Sequence, residues 1–167
     1  MTKPEYFLGN VNDLISYLID KFDNPTDVKI EKSLYFLWAF YVAIFDDNGY
    51  AQPVRDLGNY PKYLFPASFW GSIFGPELVG LCWADYNNKI KNANNESTYN
   101  PVPKNTVEQD VWDFIDETIR QLNPVNDDTL IELSRDNAWE KAYRIGAHTL
   151  LNESDIINSY HYWDKEN

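Results

Sequence analysis

The sequence predicts a mainly α-helical fold in which a single compact domain surrounds one apolar helix. Leu34 to Phe45 form an unbroken run of twelve apolar or aromatic residues, in a chain whose formal net charge is −12. In two further segments, 11–22 and 106–122, apolar residues recur at spacings of three and four, which is typical of helices with one buried face. No segment shows the strongly alternating pattern of half-buried strands. We therefore expect one domain over residues 1–167, with few or no short strands.

The apolar run has three possible settings: a membrane segment, an exposed binding surface or the centre of the core. It is shorter than the roughly 20 apolar residues that span a bilayer. A patch of this size left in water would promote aggregation, and a helix that is apolar on every side is normally buried. Thr26 and Asp27 can cap its start, and the turn residues Asn48 and Gly49 mark its end. We therefore predict a central core helix over residues 26–45.

Helical spacing predicts four more helices outside the central one. The first covers residues 11–22 and is capped by Asn10 or Asn12. The second covers residues 106–122, the third begins after residues 126–128, and a short fourth helix lies near the end of the chain. The third helix is expected to turn Leu130, Leu133 and Trp139 inward, and the fourth is expected to run through Ile156, Ile157 and Tyr160.

The prolines and glycines concentrate in the connecting segments. Residues 49–66 predict an ordered but irregular connection, and residues 91–105 predict a mobile loop. Residues 68–74 fit either a short strand or a helical turn. Pro76 is expected to open a helix that continues to Tyr86, because proline is favoured at the first helical position.

The negative charge is concentrated in one part of the sequence. Residues 108–140 contain ten acidic side chains and two arginines, which gives a net charge of −8. On the 106–122 helix, Asp110, Asp113 and Glu117 share a face opposite the apolar stripe. This face is either a solvated surface that aids solubility or a contact surface for a basic partner. Direct binding of nucleic acid is not expected, because neutralising phosphates requires clustered lysines and arginines.

The potentially reactive residues form no recognisable catalytic or metal-binding pattern. The two histidines and the one cysteine, Cys82, do not make a zinc motif, and neither a phosphate-binding glycine loop nor a dinucleotide fingerprint occurs. Residues 45–49 resemble part of an EF-hand loop, but the glycine is out of position and the segment is predicted to be a turn. Cys82 is expected to be a buried, unreactive thiol. We predict no enzyme activity, no cofactor and no metal, although a hydrolase or transferase with a non-local site stays open.

The location expected from the sequence is the cytoplasm. Residues 1–13 lack the basic start, the apolar core and the small-residue cleavage site of a signal peptide. A single cysteine also fits a reducing compartment, since secreted domains usually pair their thiols.

Four blocks of the sequence resemble, in order, the Panacea family, which is related to the SocA antitoxin and to phage-associated Gep proteins. They are "VNDLISYLIDKF", "DVKIEKSLYFLWAFYVAIFD", "LFPASFWGSIFGPELVGL" and "LIELSRDNAWEKAY". The sequence departs from the family pattern at three positions: Arg135 stands where a histidine is usual, Ala138 replaces a proline, and Glu77 replaces an apolar residue. The positions that carry the resemblance are Lys29, Ile30, Lys32, Leu34, Tyr35, Phe69, Trp70, Gly75, Pro76, Leu78, Val79, Leu130, Leu133, Ser134 and Trp139.

The resemblance implies a helical, antitoxin-type protein, because members of the family neutralise diverse toxins by binding them directly. The partner is then a toxin, and the acidic segment is the expected contact, helped by aromatic anchors. A second interpretation is an acidic inhibitor, encoded by a phage or mobile element, that mimics nucleic acid and blocks a host defence nuclease such as a CRISPR effector. The residues predicted to bind the partner are Asp110, Asp113, Asp116, Glu117, Trp70, Phe74 and Trp112.

Overall fold

The computed structural model describes residues 4–45, 60–81, 87–88 and 99–166, with residues 161–166 described by their backbone alone. The described residues form a mainly α, compact domain with one small two-stranded sheet, as predicted. The elements, in chain order, are α1 (Val11–Lys21), α2 (Asp27–Phe45), β1 (Phe69–Ser72), β2 (Gly75–Leu78), α3 (Thr106–Leu122), α4 (Asp127–Ser134), α5 (Asn137–Ile145) and α6 (Glu153–Glu166).

Helix α2 is the centre of the core, which confirms the buried setting predicted for the apolar run. Sixteen of its nineteen residues are buried, and α1, α3, α4, α6 and β2 all pack against it. Leu34, Leu37 and Tyr41 have no solvent-exposed surface. No helix among the described residues has both the length and the apolar character required to cross a membrane.

Helices α1 and α3 agree with the sequence pattern along their buried faces, and α1 also at its predicted cap, Asn10. The Asn10 side chain accepts a hydrogen bond from the Asn12 N–H at 2.9 Å, and the Asn105 side chain accepts one from the Glu108 N–H at 2.9 Å. Both are the side-chain-to-backbone bonds that start a helix. The buried residues of the predicted apolar stripes are Leu14, Ile15, Leu18 and Phe22 in the first helical segment and Val111, Ile115, Ile119 and Leu122 in α3.

The prediction of a helix that begins at Pro76 is wrong, because residues 75–78 form strand β2. This strand pairs antiparallel with β1 across a two-residue turn at Ile73 and Phe74. The Val79 N–H donates to the Ser68 carbonyl at 2.9 Å, and the alternation of antiparallel hydrogen bonds then leaves Pro76 facing away from β1. A proline is tolerated there because its missing N–H is not needed by the ladder. The Pro76 carbonyl instead accepts a hydrogen bond from the Lys32 ammonium at 2.9 Å.

The tight approach of the hairpin to α4 explains the glycine that opens β2. Gly75 has φ of +94°, and a Cβ atom placed there would lie 2.3 Å from the Ser134 Oγ atom. Both features require glycine. On the far side of β1, backbone hydrogen bonds join Gly71 to His148 and Thr149, and Phe69 to Leu151.

The helix predicted after residue 126 is divided into two helices. One of the residues predicted to face inward, Leu133, faces solvent instead. Helix α4 ends at Ser134, and the Asp136 side chain accepts a hydrogen bond from the Trp139 N–H at 2.9 Å, which caps a new helix, α5. The buried face of α4 runs through Leu130 and Ser134, so Leu133 points outward and is 56% exposed. Trp139 is partly buried, as predicted, and Ile156 is buried.

Several predictions concern residues outside the described part of the chain. These are the turn at Asn48 and Gly49, the burial of the Cys82 thiol, and the predicted mobility of residues 91–98.

The core position of α2 generates the first prediction. Replacing Leu37 by Ala should lower the free energy of unfolding by about 2–5 kcal/mol, because a fully buried leucine is lost and a cavity remains. Leu133→Ala is the matched control and should change it by less than about 0.5 kcal/mol, since Leu133 is exposed. Urea denaturation followed by circular dichroism measures both. Equal decreases in the free energy of unfolding of the two variants would contradict the burial of Leu37 in the core.

Candidate interaction surfaces and a buried charge cluster

The acidic face of α3 consists of Asp113, Asp116 and Glu117, whose side chains are exposed, and the half-buried Asp110. All four already accept hydrogen bonds within the protein. Asp110 accepts from the Tyr60 hydroxyl, Asp116 from the Tyr17 hydroxyl, Asp113 from Gln109, and Glu117 from Arg120 and Gln121.

These four carboxylates therefore differ in how freely a partner could use them. The hydrogen bonds from Tyr60 to Asp110 and from Tyr17 to Asp116 attach α3 to residue 60 and to α1. Asp110 and Asp116 therefore also support the fold. Asp113 and Glu117 are bonded only to side chains of their own helix, as far as the described residues show. Hydrogen bonds from Arg120 and Gln121 lower the pKa of Glu117 to about 2, so this carboxylate is charged at any physiological pH. Asp113 and Glu117 are the best-suited contacts on this face.

The β1–β2 hairpin carries the predicted anchors Trp70 and Phe74. Phe74 and its neighbour Ile73, at the turn, are 46% and 58% exposed. Trp70 is half-buried and lies across the strands from Glu77, to which its indole N–H donates at 3.4 Å. Its ring also meets the His148 ring edge-on, with centroids 5.2 Å apart. The hairpin thus offers an apolar tip next to a partly exposed tryptophan.

Trp112 does not belong with these anchors. Its side chain is only 5% exposed and packs edge-on against Phe7 and Tyr17. The helical pattern placed Trp112 beside the apolar stripe of α3. In the structure, α1 and the N-terminal segment cover this side of α3 and therefore bury Trp112. The structure therefore removes Trp112 from the candidate contact residues.

The acidic face and the hairpin anchors are carried by different parts of the fold. Helix α3 packs on α1 and α2, whereas the hairpin packs on α2, α4 and α5. Helix α2 is the element that both contact. The sequence led us to expect that the aromatic anchors assist the acidic contact, and the structure places Trp70 and Phe74 on a different element from the acids.

A cluster of buried charged groups lies between α2 and the hairpin, and the sequence pattern did not reveal it. Lys32 and Glu31 are 1% and 3% exposed and form an ion pair of 3.0 Å. Glu77 lies near this pair, and its carboxylate accepts a hydrogen bond from Ser72 Oγ at 2.7 Å. Burial raises the pKa of Glu31 to about 7, although the neighbouring Lys32 opposes this shift. Burial likewise lowers the pKa of Lys32.

Two further residues on the same helix bind polar groups that are distant in sequence. The Lys29 ammonium donates to the carbonyl groups of Leu122, Asn123 and Val125, where α3 ends. The Tyr35 hydroxyl donates to Asp136 at 2.5 Å. The signal that could have revealed these contacts was the placement of two lysines inside an apolar helix. The partners could not be predicted, because they lie about 45 to 100 positions away.

Four of the positions on which the resemblance to the Panacea family was based have structural roles in this chain. Lys29, Lys32 and Tyr35 are buried and hydrogen-bonded, and the Trp139 indole donates to the Ser72 carbonyl at 2.7 Å. Within the described residues, no three His, Cys, Asp or Glu side chains are grouped so that they could hold a metal ion. Comparison of the chain with protein-family models, with curated proteins and with solved structures finds no match in any of the three.

The buried pair generates a prediction about pH. Because the pKa of Glu31 is about 7 in the folded chain and near 4.5 when unfolded, the folded state binds the proton more tightly. The contribution of this proton to stability is therefore complete below about pH 4.5 and is lost as the pH rises through 7, by about 3 kcal/mol. Glu31→Gln cannot ionise, so its free energy of unfolding should lack this decline.

Urea denaturation of both proteins across this pH range measures the difference between the two profiles. Glu132→Gln, at an exposed position on α4, is the matched control and should keep the wild-type profile. Parallel profiles for the wild type and Glu31→Gln would show that Glu31 does not titrate in this window.

Proposed function

We propose that this chain is a non-enzymatic, cytoplasmic protein-interaction module of the antitoxin type, which neutralises a toxin by binding it directly. The observation that carries the proposal is the exposed acidic face of α3, where Asp113, Asp116 and Glu117 meet solvent. A surface of one charge sign attracts a partner of the opposite sign and speeds its association. The expected partner is therefore a protein with a basic surface.

The hairpin tip is a second feature that supports the same proposal. Large apolar side chains in contact with water often mark protein contact sites when they lie together, and Ile73 and Phe74 occupy adjacent positions at the turn. The hairpin is held in place by the Lys32 bond to Pro76 and by the Trp139 bond to Ser72. A rigid support lowers the entropy lost on binding. The toxin would contact the acidic face, the hairpin tip or both.

The resemblance to the Panacea family supports a scaffold of this kind. The residues that carry it lie mostly inside the protein, so the choice of partner would reside in the exposed residues. This arrangement fits a family in which one fold neutralises different toxins.

The second candidate function is an acidic inhibitor, carried by a phage or a mobile element, that occupies the nucleic-acid channel of a host defence nuclease. The observation that favours it is the net charge of −8 within residues 108–140. A groove that binds phosphates binds any matching array of negative charge.

The test of the acidic face uses a charge-reversed variant. Asp113→Lys with Glu117→Lys should weaken binding to the basic product of the neighbouring gene by roughly tenfold or more, because attraction becomes repulsion. Asp110 and Asp116 are left unchanged, since their tyrosine bonds support the fold. Glu132→Lys with Glu140→Lys, at exposed positions on α4 and α5, changes the net charge equally and should bind almost normally. Calorimetric titration, together with rescue of cell growth on co-expression, measures the effect.

Equal weakening in both double variants would mean that only net charge matters, and unchanged binding in both would refute the acidic face as the contact. Phe74→Ala tests the hairpin tip in the same assay. A short DNA duplex added to the complex separates the two candidate functions, since it displaces a nucleic-acid mimic from a nuclease but leaves an ordinary toxin complex intact.

A further inference from the structure

An arginine that directly follows α4 is held beside the exposed turn of the β1–β2 hairpin. The Arg135 guanidinium donates a hydrogen bond to the Ile73 carbonyl, and its central carbon atom lies 5.6 Å from the centroid of the Trp139 ring. The Trp139 ring stacks in turn on Tyr143, with centroids 4.8 Å apart and planes inclined by 14°. A guanidinium and two aromatic rings therefore follow one another along this side of α5.

Two adjacent carbonyl groups of the hairpin are bound by these side chains. The Trp139 indole N–H donates to the Ser72 carbonyl at 2.7 Å, and the Arg135 guanidinium donates to the next carbonyl, that of Ile73. The hydrogen bond and the ring together fix the guanidinium relative to the turn. A side chain that is already held in place loses less entropy when a partner binds.

The charge of Arg135 is not neutralised by a carboxylate within the described part of the chain. Its side chain is exposed and forms no ion pair there, whereas Arg120 and Arg144 each pair with a glutamate of their own helix. Asp136, the next residue, instead accepts hydrogen bonds from two tyrosine hydroxyls and from the Trp139 N–H. A guanidinium carries several N–H donors, so donors remain for a bound anion.

Exposed apolar side chains lie at the same turn as this cation. Ile73 and Phe74 are 58% and 46% exposed, and the Ile73 carbonyl is the acceptor of the Arg135 bond. A phosphate ion would use the guanidinium but not these side chains, and a chain of net charge −12 repels multiply charged anions. A single carboxylate next to an apolar group matches the surface better.

We propose that Arg135, Trp139 and the turn residues Ile73 and Phe74 form a docking surface for a peptide segment of a partner protein, in which an aspartate or glutamate adjoins a large apolar residue. The carboxylate accepts hydrogen bonds from the guanidinium, whose planar shape suits a carboxylate, and the apolar residue covers the turn. Arginine and tryptophan are also frequent among the residues that dominate protein contacts. The inference goes beyond the proposed function, since it requires neither a toxin nor the acidic face of α3.

Two-dimensional ¹H–¹⁵N NMR of the full chain with capped peptides tests the surface. The reporters are the Trp139 indole N–H, assigned with Trp139→Phe, and the Ile73 amide. Nα-acetyl-Ala-Asp-Phe-Leu amide should shift both signals saturably. It should bind roughly fivefold more tightly than the same peptide with asparagine in place of aspartate. Inorganic phosphate should give no saturable shift.

Two arginine variants separate the docking surface from general charge effects. Arg135→Gln should bind the acidic and the asparagine peptides equally. Arg144→Gln, the matched change on α5, should keep the roughly fivefold preference, because Arg144 is already paired with Glu140. The preference is the decisive quantity: if Arg135 only supported the turn, Arg135→Gln would weaken both peptides by the same factor and leave their ratio unchanged.

Four results would each overturn the proposal. These are no saturable shift with the acidic peptide, equal binding of the two peptides to the wild type, a preference that survives Arg135→Gln, and a saturable shift of the same signals by phosphate alone. The remaining amide signals of each variant show directly whether it is folded.

Discussion

The burial of helix α2 on all sides is the constraint on which the rest of the structure depends. A helix with no solvent-facing side must be covered by several other elements, and here α1, α3, α4, α6 and β2 supply that cover. The helix is not purely apolar, however. Lys29, Lys32 and Tyr35 follow one another at intervals of three along it, and each binds a different element: the end of α3, the strand β2 and the cap of α5. Buried polar groups are strongly destabilising when unpaired, so these contacts also fix how each element is placed.

The same contacts also hold the hairpin and the acidic face of α3 in place at the periphery. The Lys32 ammonium binds the carbonyl of Pro76 on the side of β2 that faces away from β1. The hairpin beyond this bond carries Ile73 and Phe74 into solvent. On the other side of the chain, Tyr17 and Tyr60 hold two carboxylates of α3. Core and surface are therefore joined by polar bonds as well as by packing.

A protein whose distinctive sequence positions are internal can change its partner without changing its fold. Lys29, Lys32, Tyr35 and Trp139 serve the scaffold, while the exposed acids and the hairpin tip can vary with small effects on stability.

The sequence by itself determined the helical class, the central position of α2, the cap at Asn10 and the buried stripes of α1 and α3. These features depend on local spacing and local hydrogen bonds, which a linear pattern records. It also showed that the acidic residues are concentrated between positions 108 and 140. Only the tertiary structure decided that residues 75–78 form a strand, that Leu133 faces solvent, that Trp112 is covered and that Glu31 and Lys32 pair inside the core. Each of these depends on a contact with a residue distant in sequence, such as Ser134 against Gly75 or Tyr17 against Trp112, and no local pattern contains that information.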